Sequence, residues 1–358
     1  MFGRIIFIDD TNIPNLNHRD IKNKAIGASE YQFYNLIGEF SKLNLKVVCY
    51  NKTLTNETIN NVLYKNICNV KTDIFLVSDK IIVQRLSKLI PLFDLNKVFV
   101  WIHDQPCLDV VKLSDRQTTN EAIFKLHKKK NIHFIFNSIN CKNIYFYFFA
   151  HHGLQFNEKK CSVIYNILYS DDFIEVRNKE YQIDKNKLVF GSAWIKGINK
   201  MIDLFRAIHK KNDKLQLVLL SPGYDYHAWN DYKLQIENEF KDSIQVLGPL
   251  DKKSYCEVIK KSLCVLSPSY FETFGCIFAE SYYLHTPVIA DARSGAVQEI
   301  IDNNFVVDYS NPDLVLQKIT ELQKNRESIN IDLDEKFLLE ENMFLWKKTV
   351  LFCDLESS

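Results

Sequence analysis

Residues 263–302 read LCVLSPSYFETFGCIFAESYYLHTPVIADARSGAVQEIID, and this stretch decides the fold. An apolar run ends in a loop that carries Glu272, and Gly275 stands where a helix containing Glu280 is predicted to begin. A second apolar run, 287–290, leads to another glycine-containing loop and helix. Near-continuous apolar runs that alternate with helical segments are typical of parallel strands covered on both faces. Ligands bind beyond the carboxyl ends of such strands, so both loops are predicted to lie at a binding edge.

The same alternation runs through the rest of the chain. Eleven short apolar runs are predicted to be strands: 4–8, 45–50, 73–77, 98–102, 132–136 and 162–165, then 187–190, 215–220, 243–247, 263–266 and 287–290. Eleven strands are many for one sheet, and 358 residues suit about two domains. A break near residue 170 separates the runs, so we predict an α/β chain with two doubly wound, Rossmann-like domains.

Composition excludes several classes of protein. Hydrophobic residues make up 46% and charged residues 25%, which is typical of a globular chain and not of a disordered or coiled-coil one. The net charge of +1 gives no sign of a nucleic-acid partner. No run approaches the ~20 apolar residues of a membrane helix. Nine cysteines without a Cys-x-x-Cys pair favour free thiols in a reducing compartment, so we expect a cytoplasmic protein.

A small-residue turn precedes the first predicted helix. Gly27 and Ala28 stand before Ser29, which is a good helix N-cap, and Gln32 follows three residues later as in a capping box. Free backbone N–H groups at such a helix start favour an anion. An ordinary capped helix after a loop explains the same residues, so the turn alone does not decide between the two interpretations.

Two carboxylates beside one helix start suit a nucleotide sugar. Its diphosphate needs N–H donors and a cation, its ribose diol needs a carboxylate that accepts two hydrogen bonds, and its sugar hydroxyls need another. Glu272 and Glu280 supply the carboxylates, and the helix that begins at Gly275 supplies the donors. A single Glu on a helix is usually an exposed surface residue, but the whole string is hard to explain in that way.

This string resembles the retaining glycosyltransferases of family 4, which have the GT-B fold of two Rossmann-like domains facing across a cleft. Seven residues separate Glu272 from Glu280, as in that family's E-x7-E motif. Residues 26–30 resemble the family's N-terminal glycine-rich loop, 163–166 the strand before the interdomain link, and 246–250 the loop that contacts the base.

The resemblance implies the domain boundaries. Residues 1–168 would form the acceptor-side domain, and 169–340 would form the domain that binds the nucleotide sugar. Residues 341–358, which include Trp346, would form a terminal helix that returns to the first domain.

The resemblance also implies roles for particular side chains. Glu280 would hold the ribose hydroxyls, and Glu272 would contact the donor sugar. Lys196 would pair with the diphosphate and support the departing charge, and His103 would lie near the transferred sugar. The catalytic residues would therefore be His103, Lys196 and Glu272. The other donor-binding positions that the resemblance implies are Gly27, Ala28, Leu250, Thr273, Phe274 and Gly275.

The sequence departs from the family pattern after the first strand of the second domain. Relatives usually have an Arg soon after the first glycine there, but Gly191 is followed by Ser192 and Ala193. Arg293 is the candidate for the missing charge, and Ser192 is a further candidate contact.

The implied reaction moves a sugar from a nucleotide-diphosphate sugar to a hydroxyl of a glycan, lipid or small-molecule acceptor, with retention of configuration. The protein would orient the reactants and stabilise charge. No metal or other cofactor is expected. His151 and His152 are adjacent and point apart on a helix, and helix capping explains Asp332-Leu-Asp334 better than a metal site does.

Other interpretations remain open. One is a nucleotide-sugar epimerase on the same scaffold, and another is a relative that binds nucleotide sugar without turnover. A nicotinamide-dependent oxidoreductase is weaker, because no G-x-G-x-x-G follows residues 4–8. Membrane association through Lys128-Lys-Lys130 and the aromatic run 145–149 is less favoured than an exposed lysine face beside a buried helix.

Overall fold

The structure is a computed structural model of the chain. It describes residues 3–11, 13–21, 26–106, 123–169, 171, 173–220, 230–270 and 272–352. The chain divides into two compact units. The first comprises Met1–Ile21, Ser29–Ile167 and Glu340–Ser358, and the second comprises Lys22–Ala28 and Leu168–Leu339.

The first unit is built on one eight-stranded sheet. Its strands are β1 Ile5–Ile8, β2 Val47–Asn51, β3 Glu57–Ile59, β4 Val62–Asn66, β5 Lys80–Gln84, β6 Lys97–Ile102, β7 Ile132–Phe136 and β8 Cys161–Val163. Their order is β3-β4-β2-β1-β5-β6-β7-β8, and only the β3–β4 pair is antiparallel. The chain moves outward from β1 in both directions, so the order reverses between β1 and β5. In open parallel sheets, the carboxyl ends at such a switch point are where ligands bind.

The second unit has a six-stranded sheet in which every pair is parallel. Its strands are β9 Asp184–Phe190, β10 Gln216–Leu220, β11 Ile244–Leu247, β12 Ser262–Ser267, β13 Val288–Asp291 and β14 Val306–Val307. Their order is β11-β10-β9-β12-β13-β14, which places the switch point between β9 and β12. The two sheets confirm the predicted fold class of two doubly wound, Rossmann-like units.

Helices connect the strands in both units. The described helices are α1 Ala28–Ser41, α2 Ile139–His151, α3 Ile174–Asn178, α4 Ile198–His209, α5 Asn230–Phe240, α6 Lys252–Lys260, α7 Cys276–Tyr283, α8 Val297–Ile300, α9 Pro312–Asn325 and α10 Leu339–Leu351. The central strands are buried along their whole length, as in β1 and β12. Burial on both faces explains why these strands read as continuous apolar runs.

One predicted strand is wrong. Residues 73–77 are predicted to be a strand, but the strand lies at Lys80–Gln84. The buried Asp79 carboxylate pairs with Arg4 and accepts a hydrogen bond from the Leu76 N–H, so the preceding segment forms a loop with exposed apolar side chains. An apolar run alone cannot distinguish an exposed loop from a buried strand, and here the run that follows it is the buried one.

The strands that sequence reasoning missed are short and lie at or next to sheet edges. They are β3, β4 and β14, and β14 has only two residues. Polar and exposed side chains interrupt β3 and β4, so neither gives a continuous apolar signal.

Helix α10 packs on the core of the first unit. The Trp346 and Trp101 rings lie 4.8 Å apart in an edge-on arrangement, and both side chains are fully buried. Aromatic pairs of this kind add to the burial of apolar surface. Helix α10 thus contributes to the hydrophobic core around β6.

Two further expectations concern the cysteines and the aromatic run 145–149. The seven described cysteines are all free thiols. Of the aromatic run 145–149, Tyr145, Phe148 and Phe149 are buried and Tyr147 is exposed. The run therefore belongs mainly to the core, in agreement with the interpretation as a buried helix. No helix in the described part of the chain has both the length and the apolar character needed to span a membrane.

Candidate functional site

The switch point of the second sheet brings two predicted site residues, Lys196 and Glu272, together. Gly191 directly follows β9, and Lys196 lies in the short 3-10 turn after it. Glu272 lies in the loop that follows β12. Because β9 and β12 are neighbouring parallel strands, their carboxyl ends place these loops side by side.

Lys196 and Glu272 form an ion pair at this edge. The Lys196 Nζ lies 2.8 Å from Glu272 Oε2. The Glu272 side chain is 4% exposed and the Lys196 side chain is 41% exposed. The glutamate is thus fixed within the fold, while its lysine partner still faces solvent and can reach a bound anion.

Gly275 forms the start of helix α7. Its φ of +84° lies in the left-handed region that favours glycine, and a Cβ built there would lie 2.5 Å from the ring of Phe278. The turn therefore requires glycine for two separate reasons. Helix α7 therefore begins at Gly275, and the positive end of a helix dipole favours an anion at such a start.

Two more close approaches pack the loops against each other. A Cβ on Gly191 would lie 2.3 Å from Ile277 Cδ1, in the first turn of α7. Gly197, with φ +136°, lies against Pro268, where a Cβ would be 3.3 Å from the proline ring. The segment after β9 therefore approaches both the loop after β12 and the start of α7.

Glu280 has two partners that sequence reasoning missed. Its Oε1 lies 2.6 Å from the Lys252 Nζ, and its Oε2 accepts a hydrogen bond from the Tyr255 hydroxyl at 2.9 Å. Burial opposes the charge on Lys252, but Glu280 more than compensates, so the pKa of Lys252 is raised. Burial and the same carboxylate raise the pKa of Tyr255 well above its ordinary value, so its hydroxyl stays a donor. Both partners lie on α6, and no local motif links them to Glu280.

Arg293 does not stand free as a substitute for the missing family Arg. It is held by Asp291, with Nε 2.8 Å from Oδ1 and Nη2 2.7 Å from Oδ2. Its guanidinium lies 4.2 Å from the centre of the Tyr270 ring, and the Lys200 Nζ lies over the same ring. Arg293 and Lys200 thus place two more cations beside the loop that carries Glu272.

The remaining predicted positions of the second unit lie in the same loops. Ser192 is almost buried in the turn after β9. Leu250 is half-buried and stands directly before Asp251, which caps α6 by accepting from the Ser254 N–H. Thr273 is half-buried, and Phe274 is buried with its ring 5.7 Å from that of Phe337. Phe274 is therefore anchored in the core.

The capping box predicted at the first helix is wrong. Helix α1 begins at Ala28, directly after Gly27, so Ser29 lies inside the first turn. The Gln32 side chain instead donates to the Ile167 carbonyl at 2.8 Å and accepts from the Ile167 N–H at 2.9 Å. A partner 135 residues away in sequence has taken the group that the local motif would use.

Arg85 organises the switch point of the first sheet. It directly follows β5 and has a φ of +60°. Its Nη1 lies 2.7 Å from Glu30 Oε1, its Nε lies 2.9 Å from Asp104 Oδ2, and it also donates to the Ser29 hydroxyl. One guanidinium thus joins the start of α1 to the loop after β6. Sequence reasoning did not identify Arg85, because it belongs to no motif.

His103 lies in the loop after β6, beside this network. The side chain is 7% exposed, and its ring lies 4.5 Å from that of Trp101. Burial and the positive charge of Arg85 lower the pKa of His103 well below its ordinary value, so the ring is neutral near pH 7. His103 thus lies at the carboxyl edge of the first sheet, as the sequence predicts, and its catalytic role stays a prediction.

The candidate metal motifs are used for other purposes. Asp334 caps a short helical turn by accepting from the Lys336 N–H, and Asp332 pairs with Arg177 at 2.9 Å. The His152 ring bonds to the Phe148 carbonyl. Over the residues that the structure describes, no group of three or more His, Cys, Asp or Glu side chains is arranged to hold a metal ion.

Part of this chain is similar to known protein families and structures. Residues 178–336 match the family described as Glycosyl transferases group 1. The O-antigen chain mannosyltransferase RfbU of Salmonella typhimurium is 28% identical over 160 residues, which cover 44% of this chain and 42% of that protein. An uncharacterized glycosyltransferase of Methanocaldococcus jannaschii, MJ1178, is 28% identical over 187 residues, or 49% of each chain. This chain therefore spans about half the length of the curated relatives it matches.

Solved structures match along the whole chain at low identity. The trehalose-6-phosphate synthase of Burkholderia multivorans has a TM-score of 0.68 at 11% identity and covers 100% of both chains. Anabaena HepE, in complex with UDP and glucose, has a TM-score of 0.65 at 14% identity and covers 99% of this chain and 100% of that one. These likenesses show the GT-B fold. The match to glycosyl transferases group 1 falls within the second unit.

Proposed function

We propose that this chain is a retaining glycosyltransferase of the family 4 type, which moves a sugar from a nucleotide-diphosphate sugar to an acceptor hydroxyl. One observation carries the proposal: two lysine–glutamate pairs, Lys196–Glu272 and Lys252–Glu280, flank the helix start at Gly275. Helix N–H groups and a solvent-facing lysine suit a diphosphate, and carboxylate oxygens suit hydroxyl groups.

Each group has a distinct part in the proposed reaction. Lys196 and the first turn of α7 stabilise negative charge as the sugar–phosphate bond breaks, while Glu272 orients the sugar ring. Glu280, already fixed by Lys252 and Tyr255, keeps lone pairs on both oxygens for the two ribose hydroxyls. Fixed donors of this kind lower the barrier because they need no reorganisation during the reaction.

The names of the matched proteins support this donor class. Titles of similar structures name UDP with glucose, UDP-glucose and UDP-2-fluoro glucose, and RfbU is named a mannosyltransferase. We therefore propose a UDP- or GDP-linked hexose as the donor and a glycan or lipid-linked hydroxyl as the acceptor, with no metal ion required.

The test is a panel of UDP-glucose, UDP-N-acetylglucosamine and GDP-mannose, screened by thermal shift and then by product analysis. A ligand at 100 times its Kd should add about 2.7 kcal/mol to stability. Release of nucleoside diphosphate, unaffected by EDTA, and a product with the donor's anomeric configuration by NMR are the expected results. An altered sugar from donor alone would indicate an epimerase, and binding without turnover would indicate an inactive relative.

A further inference from the structure

The amino-terminal edge of the first sheet carries an unusual group of exposed aliphatic side chains. In the loop before β5, Ile74 is 80% exposed and Val77 is 70% exposed, with Leu76 between them at 56%. Before β6, Leu92 and Leu95 are 51% and 78% exposed. Single exposed apolar residues are normal, but a contiguous apolar patch marks an interaction surface.

Hydrogen bonds show that these loops form one surface. The Asn96 side chain donates to the Leu76 carbonyl at 2.6 Å. The Asn131 side chain donates to the Phe93 carbonyl at 3.0 Å and to the Asn96 carbonyl at 2.8 Å. The loops before β5, β6 and β7 are therefore fastened to one another at the same edge of the sheet.

Lysines lie in the segments next to the aliphatic patch. Lys160, before β8, donates from Nζ to the carbonyls of Lys129 and His127 at 2.9 and 3.0 Å. Burial lowers the pKa of Lys160, and so do the neighbouring positive charges of Lys97 and Lys130. These ammonium groups are thus close enough to repel one another.

The four segments of this edge carry an excess of positive charge. Residues 71–80, 91–97, 127–131 and 157–161 contain eight lysines and four acids. Three of those acids have cationic partners. The pairs are Asp79 with Arg4, Asp73 with Lys65, and Asp94 with Lys129.

Two of the lysines are especially open to solvent. Lys128 and Lys130 are exposed, and neither has an ion-pair partner among the residues that the structure describes. A ligand with a dense negative charge would meet little competition there.

We propose that this aliphatic–lysine edge, formed by Ile74, Leu76, Val77, Leu92 and Leu95 with Lys97, Lys128, Lys130 and Lys160, docks on a membrane surface that bears anionic headgroups. Aliphatic side chains enter the boundary between headgroups and acyl chains, while lysines meet the negative surface potential. Protein interfaces instead favour Tyr, Trp and Arg and are depleted in Lys. A second copy of this chain would bring the same positive charges together.

Docking at this edge leaves the switch point of the first sheet accessible. The edge lies at the start of the strands, whereas Arg85 and His103 lie after their carboxyl ends. A strand of five residues holds the two edges roughly 17 Å apart. The proposal is independent of sugar transfer, so it can hold or fail whatever the activity proves to be.

The test is flotation of the purified full chain with vesicles of phosphatidylcholine alone or with 30% phosphatidylglycerol added, roughly the anionic content at which surface charge binds basic patches. We expect binding to the anionic vesicles, loss of binding in 0.5 M salt because charges are then screened over about 4 Å, and little binding to phosphatidylcholine. The triple variant Ile74→Ser/Val77→Ser/Leu95→Ser should lower the bound fraction at least about fivefold. Because all three side chains are exposed, the variant should fold, which circular dichroism would verify.

Matched controls test the location of the surface. Leu234→Ser/Leu314→Ser changes exposed leucines of the second unit and should float like the wild type. Lys128→Glu/Lys130→Glu should lower binding at least about tenfold, and Lys185→Glu/Lys324→Glu should not. No flotation of the wild type at low salt, or equal flotation of the serine triple variant, would overturn the proposal. So would concentration-dependent dimerisation abolished by the triple variant, or capture by polyglutamate without vesicle binding, which would indicate an acidic protein partner.

Discussion

The two sheets each place a cation at their switch point, and the two cations have different surroundings. Arg85, after β5, contacts the carboxylates of both Glu30 and Asp104. Lys196, after β9, pairs with the carboxylate of Glu272, and its side chain remains 41% exposed. The charge of Arg85 is therefore balanced within the fold, where it fastens two loops together. Lys196 remains accessible to an anion from solvent, so we expect the carboxyl edge of the second sheet to be the one that meets a diphosphate.

Replacing the exposed cation should have the largest effect on activity. Lys196→Ala removes the side chain that we propose stabilises the leaving diphosphate, and turnover should fall about 10²–10³-fold, equivalent to about 3–4 kcal/mol of barrier. Steady-state kinetics with the donor identified by the panel measures this. Lys211→Ala, an exposed lysine of the same unit, is the control and should keep wild-type rates.

A nucleotide-binding assay can contradict this comparison between Arg85 and Lys196. Arg85→Met should leave the affinity for nucleoside diphosphate within about twofold of wild type, because the charge of Arg85 is already balanced. If Arg85→Met weakens nucleotide binding as much as Lys196→Ala does, then the two cations are equivalent and the distinction between the edges is wrong.

The Lys252–Glu280 pair of the second unit should have the largest effect on stability. Lys252→Met leaves the Glu280 carboxylate largely buried beside Tyr255, and the free energy of unfolding should fall by about 3 kcal/mol. Urea denaturation at pH 7 measures this. The double variant Lys252→Met/Glu280→Gln removes the stranded charge and should recover part of the loss, and no recovery would mean that the charge is not the cause.

The same pair has a predictable pH dependence. The pKa of Lys252 is raised in the folded state, so its contribution is complete below the unfolded value near 10.4 and is lost as the pH rises through the folded value. The difference in stability between wild type and Lys252→Met should therefore shrink only in strongly alkaline solution.

The carboxyl edges of the two sheets also differ in how much the sequence could predict. Around the second switch point, Glu272, Gly275 and Glu280 belong to one continuous stretch, where glycine, loop and helix signals reinforce one another. Strand β12 and the start of α7 could therefore be predicted from residue order. Lys252 and Tyr255 could not, because α6 meets Glu280 through tertiary packing across 25 residues or more of sequence.

At the first switch point, sequence reasoning found the members and missed the connection. Ser29 and His103 were placed near the ends of β1 and β6, but Arg85, which links the start of α1 to the loop after β6, follows a strand that was predicted too early. Long-range pairing also overrode the local capping signal at Gln32. Local patterns report which residues follow a strand, and they carry no information on which charge from another loop will meet them.

Gly275 and Gly153 separate backbone strain from steric overlap. Both have positive φ, but a Cβ on Gly275 would overlap the Phe278 ring, whereas nothing lies within 4 Å of one on Gly153. Gly153→Ala should cost about 1 kcal/mol of stability, and Gly275→Ala about 2–3 kcal/mol because the overlap adds to the strain. Denaturant unfolding of both variants measures the difference. Equal costs would mean that α7 shifts to admit the methyl group, and the close packing inferred for this edge would be wrong.

The smallest expected effect concerns His103, at the carboxyl edge of the first sheet. His103 is held neutral in the fold, so below about pH 6.5 the unfolded chain takes up a proton that the folded chain refuses. Stability therefore falls as the pH falls, and between pH 7 and 5.5 this one group should account for about 1 kcal/mol. His103→Gln should reduce the loss by that amount, as measured by urea unfolding at both pH values. His133, whose burial lowers its pKa to about 4, is present in both proteins and cancels from the comparison. An unchanged loss in His103→Gln would mean that the folded ring accepts a proton beside Arg85. The carboxylates of Glu30 and Asp104 would then carry more negative charge than Arg85 compensates. The charges at the carboxyl edge of the first sheet would therefore not be balanced within the fold.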